Sequence, residues 1–274
     1  MSYEPQVAFQ TKNSPLPDLP LANVLGVGIH AVNLPWAADI IDAAIEKKKK
    51  GYVCVTSVHG VMEAHRNPEL YRALASAMLV VPDGMPTVWV GRSQGHHLMR
   101  RVFGPDLMLE LCRRSAKNGC THFLYGGKPH VAEELAATLT QRFPGIKVVG
   151  TYTPPFRPLT QVEQAALKHQ LECVDPDILW VGLSTPKQEL FMARNICQLN
   201  CRVMVGVGAA FDIHTGRLND SPNWVKEAGL QWLHRLCQEP SRLWKRYLIN
   251  NSQFLARLTL QFLGLKSYEL GDSG

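Results

Sequence analysis

A carboxylate interrupts an apolar run in "VVPDGMPTVWVGR" (Val80–Arg92), where Pro82-Asp83-Gly84 breaks the run and it resumes at once. An unpaired buried carboxylate is costly and has to be paired, hydrated or used. Asp83 therefore reads as a helix N-cap, worth roughly 1 kcal/mol, or as a group that accepts a proton in a reaction, and the two roles can coexist. In "FLYGGKPHVAEEL", Gly126 and Gly127 end a strand and Pro129 falls in the first turn of the next helix. Close backbone approach followed by a helix N-terminus suits a phosphate or nucleotide, although Gly-Gly is also a common turn. "GLSTPKQEL" offers Ser184 and Thr185 as caps for a helix that Pro186 starts. Gln188 then sits in its first turn, directed at a ligand or at nothing. "GVGAAFDIHTGR" sets Asp212 and His214 in a glycine-bounded loop. No complete G-x-G-x-x-G or G-x-x-x-x-G-K-[ST] stretch is present, and the ten histidines form no H-x-x-x-H pattern, so no metal is assigned. Asp175-Pro-Asp177 resembles a D-x-D metal clasp but stands at the entrance of a strand, and reads as a turn.

These residues need elements to position them. "NVLGVGI" (Asn23–Ile29) reads as a strand and "WAADIIDAAIEKKKK" (Trp36–Lys50) as an amphipathic helix whose final lysines suit its C-terminal dipole. The alternation continues through "YVCVT", "PELYRALASA", "MLVV" and "GPDLMLELCRRSAKNG", the last stopped by Gly119, and on to "RVMVGVG". Strands that are apolar throughout, each followed by a helix, predict an α/β fold: a Rossmann-like, mainly parallel sheet with helices on both faces. Ligands bind such sheets outside the carboxyl ends of the strands. Thr56 to His59, Asp83, Gly126-Gly127, Ser184 to Gln188 and Gly208 to Asp212 all follow strands, and are expected to converge on one edge. Beyond Gly208 only helices are predicted, at about Pro222–Leu236 and Ser241–Phe262.

With 274 residues, 46% of them hydrophobic and 19% charged, the chain can bury a large core and is not disordered. Three regions are expected: a loose proline-containing lead-in (1–20), an α/β catalytic domain (21–230) and a C-terminal basic helical appendage (231–274). The lead-in lacks the basic start and apolar stretch of a signal peptide, and no window reaches the length of a membrane span. Seven scattered cysteines without a C-x-x-C pair fit reduced thiols in a cytoplasm. Of the net charge of +6, the stretch from Arg235 to Lys266 carries +5, six basic residues against Glu239. Its cations are interleaved with Trp244, Tyr247 and Phe254, which suits either a solvated helix face docked on the body or an anionic membrane surface. Nucleic acid would want a basic body as well, and the body is nearly neutral.

"VPDGMPTVW", "FGPDLMLELC", "FLYGGKP", "FPGIKVVG", "DILWVGLSTPKQE", "VGVGAAFDIHTGR" and "GLQWLHRLCQEPSRLWKRYL" together resemble the WecG/TagA/CpsF glycosyltransferases, in order, over roughly Val24 to Tyr247. The resemblance implies transfer of a sugar, with inversion and without a metal or other cofactor, from a UDP-sugar to a polyprenyl-diphosphate-linked sugar at the cytoplasmic face of the bacterial membrane. It makes Asp83 the general base and puts Thr56 beside the donor, with His59 in the same loop. Gln188 and Asp212 match positions of the nucleotide-sugar pocket. Arg235, Arg242 and Lys245 match cations that the family's appendage brings over the site, and a homo-oligomer is left open. Two stretches depart from the family pattern: "SVHGVMEAHR" stands after Thr56 in place of a "TPN"-like segment, and "TYTPPFRPL" replaces a Gly-Tyr-Phe-like stretch. They bring the chain closer to exopolysaccharide enzymes of the xanthan type and make UDP-glucose the expected donor, with N-acetylmannosamine transfer to lipid-linked N-acetylglucosamine as the alternative. A nicotinamide-dependent oxidoreductase is disfavoured by the missing glycine fingerprint, and a non-enzymatic scaffold would use the tail alone. An aspartate near its reference pKa of about 3.9 would have to accept the proton in the transition state, as the new bond forms.

Overall fold

The computed structural model describes residues 19–271. The lead-in expected over residues 1–20 lies outside them except for its last two positions. Elements are numbered in chain order. Strands β1 (Leu21–Val24) and β2 (Val27–His30) precede α1 (Leu34–Glu46), β3 (Gly51–Thr56), α2 (Val58–Ala64), α3 (Pro68–Ala75), β4 (Leu79–Pro82), α4 (Met85–Ser93) and α5 (Gly104–Asn118). The chain continues with β5 (Thr121–Gly126), α6 (Val131–Arg142), β6 (Lys147–Tyr152), α7 (Gln161–Val174), β7 (Ile178–Gly182), α8 (Lys187–Asn195) and β8 (Val203–Gly206). Four helices finish it: α9 (Ala210–His214), α10 (Asn223–Glu227), α11 (Gln231–Gln238) and α12 (Pro240–Phe262).

Strands β3 to β8 form one sheet in the order β4-β3-β8-β7-β5-β6, parallel at every pairing, so all six carboxyl ends lie on one edge. Both faces are dry, as uninterrupted apolar strands require. Val53, Leu124, Trp180 and Val205 pack against α1, α5 and α6 through Ile40, Ile41, Leu111 and Leu135. Cys54, Phe123, Leu179 and Met204 face the opposite way, toward α2, α3, α7 and α8 through Met62, Leu70, Leu171 and Met192. Local chemistry sets several helix ends. Asn33 accepts from the Trp36 amide at 3.0 Å, Thr160 and Glu163 form a capping box, and Gly119 closes α5 at φ 78°.

Several boundaries differ from the sequence reading. "NVLGVGI" is not one strand but an antiparallel hairpin, turning at Leu25 (φ 54°) and Gly26 (φ 84°). Leu25 is fully buried there, so packing overrides its aversion to positive φ, and the Asn23 side chain secures the turn by accepting from the Gly26 amide at 2.7 Å. Helix α1 ends at Glu46, leaving Lys47 as its C-cap and the remaining lysines outside it. Pro129 is not in the first turn of α6, because His130 takes the N-cap in a left-handed conformation. The helix expected over Pro222–Leu236 is split into α10 and α11 around Gly229, at φ 72°.

The strand ends are tightly stacked glycine. Gly126 has φ +134°, and a Cβ there would lie 2.5 Å from the Gly182 carbonyl oxygen, its partner in the register. Gly126→Ala is therefore expected to cost at least about 2 kcal/mol, through backbone strain and a clash with backbone that cannot step aside. Urea denaturation of the variant checks this, and a loss within 0.5 kcal/mol, roughly the scatter for surface changes, would show that the strand ends are looser than the structure has them.

Candidate active site

At the carboxyl edge of the sheet a cavity of about 1790 Å³ opens beneath α11 and α12. Asp83 stands on its floor. The Asp83 amide donates to the Thr56 carbonyl at 3.0 Å, which continues the β3–β4 pairing one residue beyond Thr56 and Pro82. Asp83 does not cap α4: the N-cap is Gly84, with no side-chain bond. Oδ1 of Asp83 is covered and has no hydrogen-bond partner. Burial pushes this carboxyl up to about 6, with Arg101 and Arg235 pulling it down and Asp106 adding a smaller upward push. The near-reference value assumed from sequence is thus replaced by that of a stronger base.

The walls are cationic. Ten basic side chains line the cavity against three carboxylates, Asp83, Asp212 and Glu239, so its field favours an anionic ligand. Arg101 lies 4.5 Å from the Phe103 ring centre, faces Asp106 at 3.6 Å and donates to Gln231 at the start of α11. Glu239 joins two helices by accepting from Arg235 at 3.2 Å and Arg242 at 2.5 Å. Arg235 keeps a buried Nε without a partner. Burial lowers the Arg246 pKa, with Arg242 adding to the effect, so these guanidiniums crowd one another until an anion arrives.

His59, Asp83, Gly127, Gln188, Asp212, Arg235 and Arg242 all line the cavity; Thr56, Gly126 and Lys245 do not. Thr56 is buried behind Asp83, and its hydroxyl has no partner. Gly126 is pressed against Gly182, and Gly127 presents the cavity surface beside it. The Lys245 ammonium sits 5.4 Å from the Trp244 ring centre, and Arg246 takes the lining position instead, one helical turn from Arg242. Ser184 and Thr185 do not cap α8, whose N-cap is Pro186; Thr185 donates instead to Glu189 at 2.8 Å. Gln188 lines the cavity, and its side chain is also engaged by the protein. Its Oε1 accepts from the Gly208 amide at 3.0 Å and its Nε2 donates to Glu189 at 3.1 Å, bracing the loop after β8. Asp212 and His214 belong to a short helix rather than a loop, and His214 bonds the Pro105 carbonyl at 3.1 Å in a structural role.

His59 is held by the tail. Asn250 on α12 donates to its Nδ1 at 2.8 Å and accepts from Arg66 at 2.8 Å, while burial and Arg246 lower the imidazole pKa to about 4, so the ring is neutral at pH 7. Asp177 accepts from the Thr121 amide and hydroxyl, both at 2.9 Å, and Asp175 pairs with Arg202 at 2.8 Å; both stand away from the cavity, as a turn at the strand entrance implies. Among the described residues no group of three or more His, Cys, Asp or Glu side chains is placed to hold a metal ion. Arg101, Glu189 and Arg246 were missed in the sequence. The pair Arg100-Arg101 ahead of "FGPD" was the available signal for the first, and the helical spacing of Arg242 and Arg246 for the last.

The model of the glycosyl transferase WecG/TagA/CpsF family matches residues 22–268. The chain belongs to this family. Two relatives carry the name N-acetylglucosaminyldiphosphoundecaprenol N-acetyl-beta-D-mannosaminyltransferase. The Bacillus spizizenii protein is 28% identical over 204 residues, 74% of this chain and 77% of its own. The Bacillus subtilis protein is 27% identical over 226 residues, 79% and 85% of the two chains.

Asp83 also leaves a mark on stability. Between its usual value of 3.8 and about 6 the folded protein holds a proton that the unfolded chain has released, so stability falls as pH rises across that window and then levels. Asp83→Asn is expected to be more stable than the parent by roughly 1–3 kcal/mol at pH 7.5 and equal to it near pH 3, below the unfolded-chain value of 3.8. Denaturant titrations at the two pH values measure this, and an equal or lower stability at pH 7.5 would place the carboxylate in water.

Proposed function

We propose that this glycosyltransferase transfers N-acetylmannosamine from its UDP derivative to N-acetylglucosamine carried on a polyprenyl diphosphate, with inversion, at the cytoplasmic face of the membrane. The observation that carries this reading is the unpartnered, desolvated Asp83 carboxyl facing a cationic cavity, in a chain whose two relatives are both named for that transfer. The acceptor hydroxyl attacks the anomeric carbon from the face opposite UDP; the C–O bond to the diphosphate breaks, and the hydroxyl proton passes to Asp83. Charge builds on the departing diphosphate, where Arg101, Arg235, Arg242 and Arg246 are the available donors, the Gly127 amide being engaged by the Gly182 carbonyl. Thr56 and Gln188 act from behind as positioning residues, through the Asp83 backbone and the Gly208 loop.

Membrane contact is supported by indole rings around the cavity mouth. Trp89 is 49% and Trp244 48% exposed, both line the cavity, and Trp244 shares α12 with Arg242, Lys245 and Arg246, a combination that suits the lipid interface. Among the described residues no helix is long and apolar enough to cross a membrane, so attachment would be peripheral.

A second reading, glucose transfer in exopolysaccharide synthesis, is favoured by one observation. Both stretches that depart from the family pattern supply cavity walls, through Ser57 to His59 and through Pro154 to Leu159. UDP release separates the readings when UDP-N-acetylmannosamine, UDP-glucose and UDP-N-acetylglucosamine are offered in turn with lipid-diphosphate-linked N-acetylglucosamine and glucose. Turnover is expected from UDP-N-acetylmannosamine with the first acceptor. Turnover from UDP-glucose alone would install the second reading. With the productive pair, Asp83→Asn is expected to lower kcat by about 10²–10⁴-fold, and the parent rate to rise with pH through about 6. A variant at near-normal turnover would remove Asp83 as the base.

A further inference from the structure

The cavity does not end at the arginines. It continues as a groove between α8 and α12. One wall is a single face of α8, formed by Lys187, Leu190, Phe191, Arg194 and Asn195 and followed by Leu199, at the three- and four-residue spacing of neighbours on a helix. The facing wall is α12, through Tyr247, Asn251, Leu255, Leu258 and Phe262, about 22 Å of helix. Buried Leu243, Asn250 and Phe254 seat α12 on the body along an adjacent stripe, so the groove has a fixed outer wall.

Its chemistry changes along its length. Arg235, Arg242 and Arg246 gather at the Asp83 end, whereas beyond Ser252 the α12 wall is hydrocarbon, through Phe254, Leu255, Leu258 and Phe262, with Leu190 and Phe191 on α8. Arg194, the cation on the α8 wall at that end, is paired with Glu69 at 2.6 Å. Leu248 and Leu255 are each 62% exposed and Phe262 65%, a concentration of open apolar surface that marks a binding site. A ligand that satisfies both ends has an anionic head and one hydrocarbon chain. A flat bilayer surface does not enter a groove walled by two helices.

We infer that the α8–α12 groove holds the first isoprenoid units of the acceptor lipid, with its diphosphate at Arg242 and Arg246; this rests on the polyprenyl-diphosphate acceptor proposed above. The enzyme then grips lipid as well as sugar, and draws the start of the chain out of the bilayer.

Calorimetric binding of farnesyl diphosphate and of inorganic diphosphate to the full chain tests the groove without sugar transfer. Farnesyl diphosphate, below its micellar concentration, is expected to bind at least tenfold more tightly than inorganic diphosphate. Leu255→Gln and Leu248→Gln, both at exposed positions, are each expected to erase most of that preference and leave inorganic diphosphate unaffected. Leu260→Gln, on α12 outside the groove, is expected to retain it. Equal affinity for the two probes, or equal losses in all three variants, would overturn the proposal. So would a Leu255→Gln protein that changed only its sedimentation or its vesicle binding, because the face would then belong to a second copy or to the bilayer surface. A farnesyl preference in a protein that turned over no UDP-sugar would uphold the groove and count against the transferase reading alone.

Discussion

One hydrogen bond, from the Asp83 amide to the Thr56 carbonyl, extends the β3–β4 pairing past the sheet and sets a carboxyl at its edge with one oxygen covered and unpartnered. Removing that carboxylate from water is expensive, and much of the surrounding molecule can be understood as a response. Arg101 and Arg235 oppose the desolvation without cancelling it, so the group titrates near 6. A bidentate partner would have lowered the pKa and quenched its basicity, whereas no cation at all would have let burial raise the pKa further. The balance leaves an ionised group that is more basic than an exposed aspartate.

One of the two cations in that balance, Arg235, comes from far along the chain. Arg235 and Arg242 reach the cavity because Glu239 holds them together between α11 and α12, and because α12 is seated by Leu243, Asn250 and Phe254. Asn250 also ties His59 and Arg66 to the tail. The tail helices therefore complete the cavity over Asp83. The apolar residues of α12 divide into one stripe buried in the body and a neighbouring stripe left open along the groove.

Beneath the cavity the floor is built for close approach. A Cβ at Gly182 would meet the Phe211 ring at 2.5 Å, and one at Gly206 would meet Gln188 at 3.2 Å. Small residues at the strand ends thus let Gln188 cross to the Gly208 amide and let Phe211 pack beneath the loops. Thr185 and Gln188 share one oxygen of the buried Glu189, and Gln188 also accepts from the Gly208 amide, which ties together the loops after β7 and β8.

Much of this was legible in the residues. Apolar strands alternating with helical periods specified a parallel sheet with covered faces, Gly119 marked a helix stop, and the polar residues after strands identified the functional edge, because these signals are local and repeat along the chain. Asp83 stood out because a carboxylate in an apolar run has no cheap burial. What the sequence could not decide was which groups meet across distance. Leu25 turns a hairpin that its own propensity opposes, since tertiary burial outweighs a local preference. Arg246 rather than Lys245 faces the cavity because the rotation of a docked helix, set by its buried stripe, assigns neighbouring residues to different sides. Residue types and periodicity determined the fold class and the edge that binds. The basicity of Asp83, the arginines above it and the groove behind them were decided only by packing, which brings the last quarter of the chain over the first third.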